Sequence, residues 1–122
     1  MPPAKLKILL QEAVAHHRAG RLLEAEKLYT RVRAAAPSSF DAQHLCGLVA
    51  QQQGRHREAA DLLRSALRLN PASALCEMRL GVACVALGEL ADGEKHLRNA
   101  TVRAPDLAEA WCHLGAALRA LC

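Results

Sequence analysis

The chain has 122 residues, a formal charge of +4 and a hydrophobic content of 52 %, most of it alanine and leucine. Its length fits one domain, and no apolar run approaches the ~20 residues that a bilayer-spanning helix needs. Five cysteines, an odd number without paired spacing, speak against a disulfide framework and for a reducing compartment.

Residues 1–5 form a short lead-in. From Leu6 onward the chain repeats. Pro37, Pro71 and Pro105 stand 34 residues apart, and the residues around them recur with the same period. The first unit is 6–39, the second 40–73 and the third 74–107, and residues 108–122 begin a fourth. The seventh and eighth places read Cys46-Gly47, Leu80-Gly81 and Leu114-Gly115, with Glu12-Ala13 as the divergent first case. The fifteenth place is Gly20, Gly54 and Gly88. The twentieth is Ala25, Ala59 and Gly93, and the twenty-fourth is Tyr29, Leu63 and Leu97.

Each column has a physical reading. A glycine between two runs of helix formers ends one helix and turns the chain into the next. Small residues at the eighth and twentieth places let the two helices of a hairpin approach closely, and the larger residues at the seventh and twenty-fourth interlock around that contact. Each proline stops the second helix. Apolar residues at i, i+3 and i+4, such as Leu22, Ala25, Leu28, Tyr29 and Val32, agree with helix. The pattern predicts seven helices, at roughly 4–18, 22–35, 40–53, 56–69, 74–87, 90–103 and 108–120, and no sheet. A period of this length signifies stacked helical hairpins with distributed contacts.

Charge is uneven. Up to Ala36 there are seven Lys and Arg against three acids, which accounts for the whole net charge. These bases are interleaved with acids on several faces, as on a solvated surface. A nucleic-acid reader of helical repeats would carry positive charge along its length, so nucleic acid is not the expected partner. No catalytic motif, phosphate loop or metal-ligand spacing is present. His16 and His17 point in different directions, and His44 and His113 lie two units apart. The chain is expected to be non-catalytic, to need no metal or cofactor, and to be cytoplasmic.

The columns resemble the tetratricopeptide repeat family. Cys46-Gly47, Ala59, Leu63, Ala66 and Pro71, then Leu80-Gly81, Gly93, Leu97, Ala100 and Pro105, match its pattern of small and large residues, and Trp111, Leu114 and Gly115 match the start of a further unit. The resemblance implies an all-α, right-handed α–α superhelix. Its concave wall is built from the first helix of each unit. Ligand residues in that family lie at the second, fifth, sixth, ninth, twelfth and thirteenth places of those helices.

Carried onto this chain, the groove candidates are Gln11, His44, Leu45, Leu48, Gln51, Gln52, Leu75, Met78, Arg79, Val82, Cys112 and His113. An apolar strip with a few polar groups suits a peptide or helix segment laid in the groove. Met78 and Arg79 are expected to face the ligand, whereas Leu45 and Leu75 are balanced between groove and helix packing. Two specialised grooves of the family are not matched. A clamp for C-terminal carboxylates would need basic and amide residues where Leu10, Val14, Leu45 and Leu75 stand, with Arg79 alone agreeing. An asparagine ladder would need asparagine at the sixth place, which reads Gln11, Leu45, Arg79 and His113.

The fourth unit has a first helix without a second, so Trp111, Gly115 and Leu118 present an apolar face. It is expected to be covered by further repeats of a longer protein, or to pair with a second copy. The opening stretch also loosely resembles the repeats that precede glycosyltransferase or sulfotransferase domains in some bacterial proteins. That likeness implies a substrate-recruiting role beside chemistry lying elsewhere.

Overall fold

A computed structural model describes residues 2–122. Seven helices follow one another: α1 (Pro3–Arg18), α2 (Leu22–Ala35), α3 (Phe40–Gln52), α4 (His56–Leu69), α5 (Ala74–Ala86), α6 (Leu90–Arg103) and α7 (Ala108–Leu121). There is no strand among the described residues. The ends of the helices fall within one residue of the periodicity-based expectation.

The turns explain that agreement. Gly20, Gly54 and Gly88 have φ of 81°, 79° and 80°, a left-handed conformation that side chains disfavour. Beyond each, the next amide returns to a carbonyl five residues back: Arg21 to His16, Arg55 to Ala50 and Glu89 to Cys84, all at 2.9 Å. This is the Schellman closure of a helix end. At the other ends, the Ser39 hydroxyl accepts from the Ala42 amide and the Ser73 hydroxyl from the Cys76 amide. Serine caps of this kind satisfy a free amide of the first turn.

Each helix packs on its sequence neighbours, and α3 also touches α5 and α5 touches α7. The first helices of the units are therefore the closer-spaced set and line the inner side of the stack. Within hairpins the backbones meet at the glycines. A Cβ on Gly81 would lie 2.8 Å from Leu97 Cγ and 3.1 Å from the Gly93 carbonyl, and one on Gly47 would lie 2.8 Å from Leu63 Cγ. Leu63, Leu80 and Leu97 are fully buried around these contacts, in a core that runs along the stack as connected clusters. Truncating one of them to alanine costs about 2–5 kcal/mol.

Salt bridges tie the units across the outer surface. Arg55 joins Glu26 of the preceding unit and Glu58 of its own. Glu89 receives Arg57 at 3.1 Å and Arg64 at 3.6 Å. Exposed pairs of this kind each contribute ~0–1 kcal/mol.

Candidate ligand groove

The repeat columns sort the inner-wall residues by burial. At the second place Lys7, Asp41, Leu75 and Glu109 are all exposed. At the sixth, Gln11 is exposed, whereas Leu45, Arg79 and His113 are half-buried. At the ninth, Val14, Leu48 and Val82 are half-buried and Ala116 is exposed; at the thirteenth, Arg18, Gln52, Ala86 and Ala120 are exposed. These steps of three and four residues trace one stripe along each helix. The accessible wall thus comprises Gln11, Leu45, Leu48, Gln52, Leu75, Arg79, Val82 and His113, with Gln51 half-buried beside it.

The fifth place behaves differently. His44 is 7 % exposed and Met78 is 4 % exposed. Met78 packs with Leu97, Ala100, Ala110 and Leu114, so it belongs to the core between the third unit and α7. The expectation that Met78 faces the ligand while Leu75 is as much core as groove is therefore corrected. Leu75, at 38 % exposure, is accessible on the inner wall. Cys112 occupies the same column as Met78 and is exposed.

Two hydrogen-bonded links join the first helices. The Arg79 guanidinium donates to His44 Nε2 at 2.7 Å, bridging α5 and α3. Burial, then the charge of Arg79, pushes the His44 pKa down to about 4. The imidazole is neutral near pH 7 and acts as the acceptor, with the Phe40 ring tilted against it at a centroid distance of 5.2 Å. Burial also pulls the pKa of Arg79 below its ordinary value, opposed by Cys76 and Glu109. Arginine nevertheless stays charged, so Arg79 is a partly desolvated cation whose side-chain hydrogen bond goes to a neutral ring.

The second link involves His17. Its Nε2 donates to Gln52 Oε1 at 2.7 Å, and its Nδ1 accepts from the Tyr29 hydroxyl at 3.1 Å. Tyr29 is fully buried and its pKa is raised to about 12, chiefly by that burial. Gln52 thus holds α3 to the first hairpin. Farther along, Val82, Val85, Leu97, His113 and Ala116 line a small pocket between α5 and α7. Leu10, Gln11, Val14, Ala15 and Arg18 line a shallow one on α1.

One buried polar centre was not legible in the repeat columns. Glu77, 4 % exposed, accepts from His96 Nδ1 at 3.0 Å, Asn99 Nδ2 at 3.2 Å and Arg103 Nε at 3.2 Å, all on α6. It stands at the fourth place, where Gln43 and Trp111 instead donate to the carbonyls of Pro37 and Pro105. A carboxylate cannot donate to the corresponding proline carbonyl, and it gathers donors from the facing helix. The available signal was an acid in a column otherwise filled by Leu9, Gln43 and Trp111.

The thiols offer no reactive centre in the core. Burial raises the pKa of Cys46 and Cys84, and pushes that of Cys76 up to about 12. Among the described residues, no group of three His, Cys, Asp or Glu could hold a metal ion. No described helix is long and apolar enough to cross a membrane.

Comparison with known proteins agrees with this architecture. A family model described as anaphase-promoting complex, cyclosome, subunit 3, matches residues 19–100. Human tetratricopeptide repeat protein 7A is 31 % identical over 114 residues, which are 93 % of this chain but 13 % of that protein. An O-GlcNAc transferase mutant from Thermobaculum terrenum superposes with a TM-score of 0.90 at 36 % identity, covering 94 % of this chain and 22 % of the transferase. The first tetratricopeptide domain of Spaghetti (RPAP3), bound to an HSP90 peptide, superposes with a TM-score of 0.94 at 21 % identity, covering 99 % of this chain and 96 % of that domain. The chain therefore spans a small part of the two longer relatives and nearly the whole of the isolated domain.

Proposed function

Since the chain belongs to the tetratricopeptide repeat family, we propose that it is a non-catalytic interaction module whose inner groove binds a peptide or helix segment carrying an acidic side chain beside apolar ones. Arg79 is the observation that carries this reading. It is half-buried on the accessible stripe, partly desolvated, and hydrogen-bonded to a neutral imidazole. A carboxylate from a ligand would give it a charged partner. Leu45, Leu48, Leu75 and Val82 supply the apolar surface alongside, and Gln11, Gln51, Gln52 and His113 supply polar contacts. The RPAP3 domain, solved with an HSP90 peptide, shares the fold, which supports the peptide mode without naming this chain's ligand. The free thiols fit a reducing, cytoplasmic setting.

An array of 12-residue peptides that pairs acidic with aliphatic residues tests the reading. Binding by the intact protein should be lost in Arg79→Glu and reduced in Leu75→Glu. Unchanged binding by both variants would refute it.

A second reading has its own support in the 36 % identity to the transferase repeats. There the groove would recruit a protein substrate for a transferase domain elsewhere in a longer polypeptide. A coding sequence that stops after Cys122 would remove this reading while leaving the first.

A further inference from the structure

The excess positive charge of the first unit is not spread evenly over the fold. Lys27, Arg31 and Arg33, all on α2, line a recess of about 620 Å³ between α2 and the start of α4. Glu26, Arg55 and Glu58 also line it. Both carboxylates are already taken, since Glu26 and Glu58 each hold Arg55. Lys27, Arg31 and Arg33 form no salt bridge among the described residues. Lys27 and Arg31 are exposed, whereas Arg33 is half-buried and its Nε is buried without a hydrogen-bond partner. The charge of Arg33 is felt by the Cys46 thiol, a weak acceptor. Arg33 therefore meets no anion within the protein, and one arriving through the recess would be its first. The exposure of this surface does not depend on where the chain starts. Asp61 and Lys95 stand at the same place of the second and third units as Lys27 does in the first, and both are exposed with a unit before them.

We propose that this recess is a docking site for a phosphorylated serine or threonine side chain of a partner protein. Charge and donor geometry carry the choice. Four cations and two carboxylates give the recess a net +2, which a phosphomonoester of about −1.5 to −2 offsets. Its three terminal oxygens match two guanidinium forks and an ammonium, and Thr30 adds a hydroxyl donor. A carboxylate brings a single charge and leaves a cation unmet. Nucleic acids and anionic membranes reward charge that continues along a surface. Beyond Ala36 the bases and acids of this chain balance, and Glu26 and Glu58 interrupt the patch itself. The recess lies on the second helices of two units, whereas the peptide groove lies on the first helices, so either site can fail without the other.

The test titrates the intact chain with peptides of about 12 residues, carrying a central phosphoserine or phosphothreonine in degenerate flanks, at about 0.15 M salt. Fluorescence anisotropy should show saturable binding that the unphosphorylated peptides lack. Arg33→Gln should weaken it about tenfold. The exposed pair Lys27→Gln with Arg31→Gln should do the same, and serves alone should Arg33→Gln fail to fold. Lys95→Gln, an equal loss of charge at the equivalent place of the third unit, should leave binding unchanged. Amide shift mapping should find the largest changes at Thr30, Arg31 and Arg33 on α2 and at Glu58 on α4. The proposal is overturned by equal binding of phosphorylated and unphosphorylated peptides, or by undiminished binding to the folded cation variants. Changes confined to α3 and α5 would move the phosphate into the inner groove and overturn it too. It is equally overturned where poly(U) RNA or phosphatidylserine vesicles bind through Lys27, Arg31 and Arg33 while phosphorylation of the peptides adds nothing.

Discussion

Arg79 donates to His44 Nε2 across 2.7 Å, joining the sixth place of one repeat to the fifth place of the repeat before it. The link makes the stack sensitive to acid. His44 is held neutral in the folded chain, with a pKa near 4, by burial first and by Arg79 second. In the unfolded chain it regains an ordinary value of about 6.5. Between these values the unfolded state binds the extra proton, so the contribution of His44 is complete above pH ~6.5 and is lost as pH falls toward ~4. Urea midpoints measured from pH 7.5 to 4.5 should fall more steeply in the wild type than in His44→Gln, which keeps an acceptor without the titration. Equal slopes would show that His44 does not titrate as described.

The Glu77 centre makes a prediction about the third hairpin. Glu77→Ala removes the acceptor shared by His96, Asn99 and Arg103. Leaving charged or polar donors without their partner should cost about 1.5–3 kcal/mol. Glu77→Gln retains one acceptor oxygen and should cost less. Thermal unfolding of the three proteins checks the order, and a Glu77→Ala chain as stable as the wild type would contradict it.

The glycines of the eighth column should respond in opposite directions. Gly81→Ala drives a methyl group into Leu97 and the Gly93 carbonyl, an overpacking worth roughly 1–3 kcal/mol of destabilisation. Gly115→Ala meets only an ordinary contact with Arg119 Nη1 at 3.6 Å and gains helix propensity, so the isolated chain should become more stable by up to ~1 kcal/mol. A shared sign for the two substitutions would contradict the difference in their surroundings.

The fold was legible in the sequence because each device that sets it is local. A left-handed glycine closes a helix within six residues, a proline stops the next one, and the 34-residue period repeats both. Exposure on the inner wall was legible only where it depends on the residue's own helix, as for Gln11, Arg79 and His113. Met78 is buried in part by Ala110, Leu114 and Ala117 of the following unit, and His44 meets Arg79 of the unit after its own; the packing of one unit on the next is not written in the spacing within either. Cys112 shows the converse, standing in the same column but exposed. Glu77 escaped notice for a related reason. Its partners are 19, 22 and 26 residues away, and none of them belongs to a repeating column.

The most direct measurement of the central claim is amide chemical-shift mapping with a peptide selected from the acidic–aliphatic array. Binding in the inner groove predicts that the largest changes fall on α3, α5 and α7, around Leu45, Leu75, Arg79 and His113, and that Arg79→Glu abolishes them. Changes concentrated on α4 and α6, persisting in Arg79→Glu, would place the ligand on the outer surface and contradict the account.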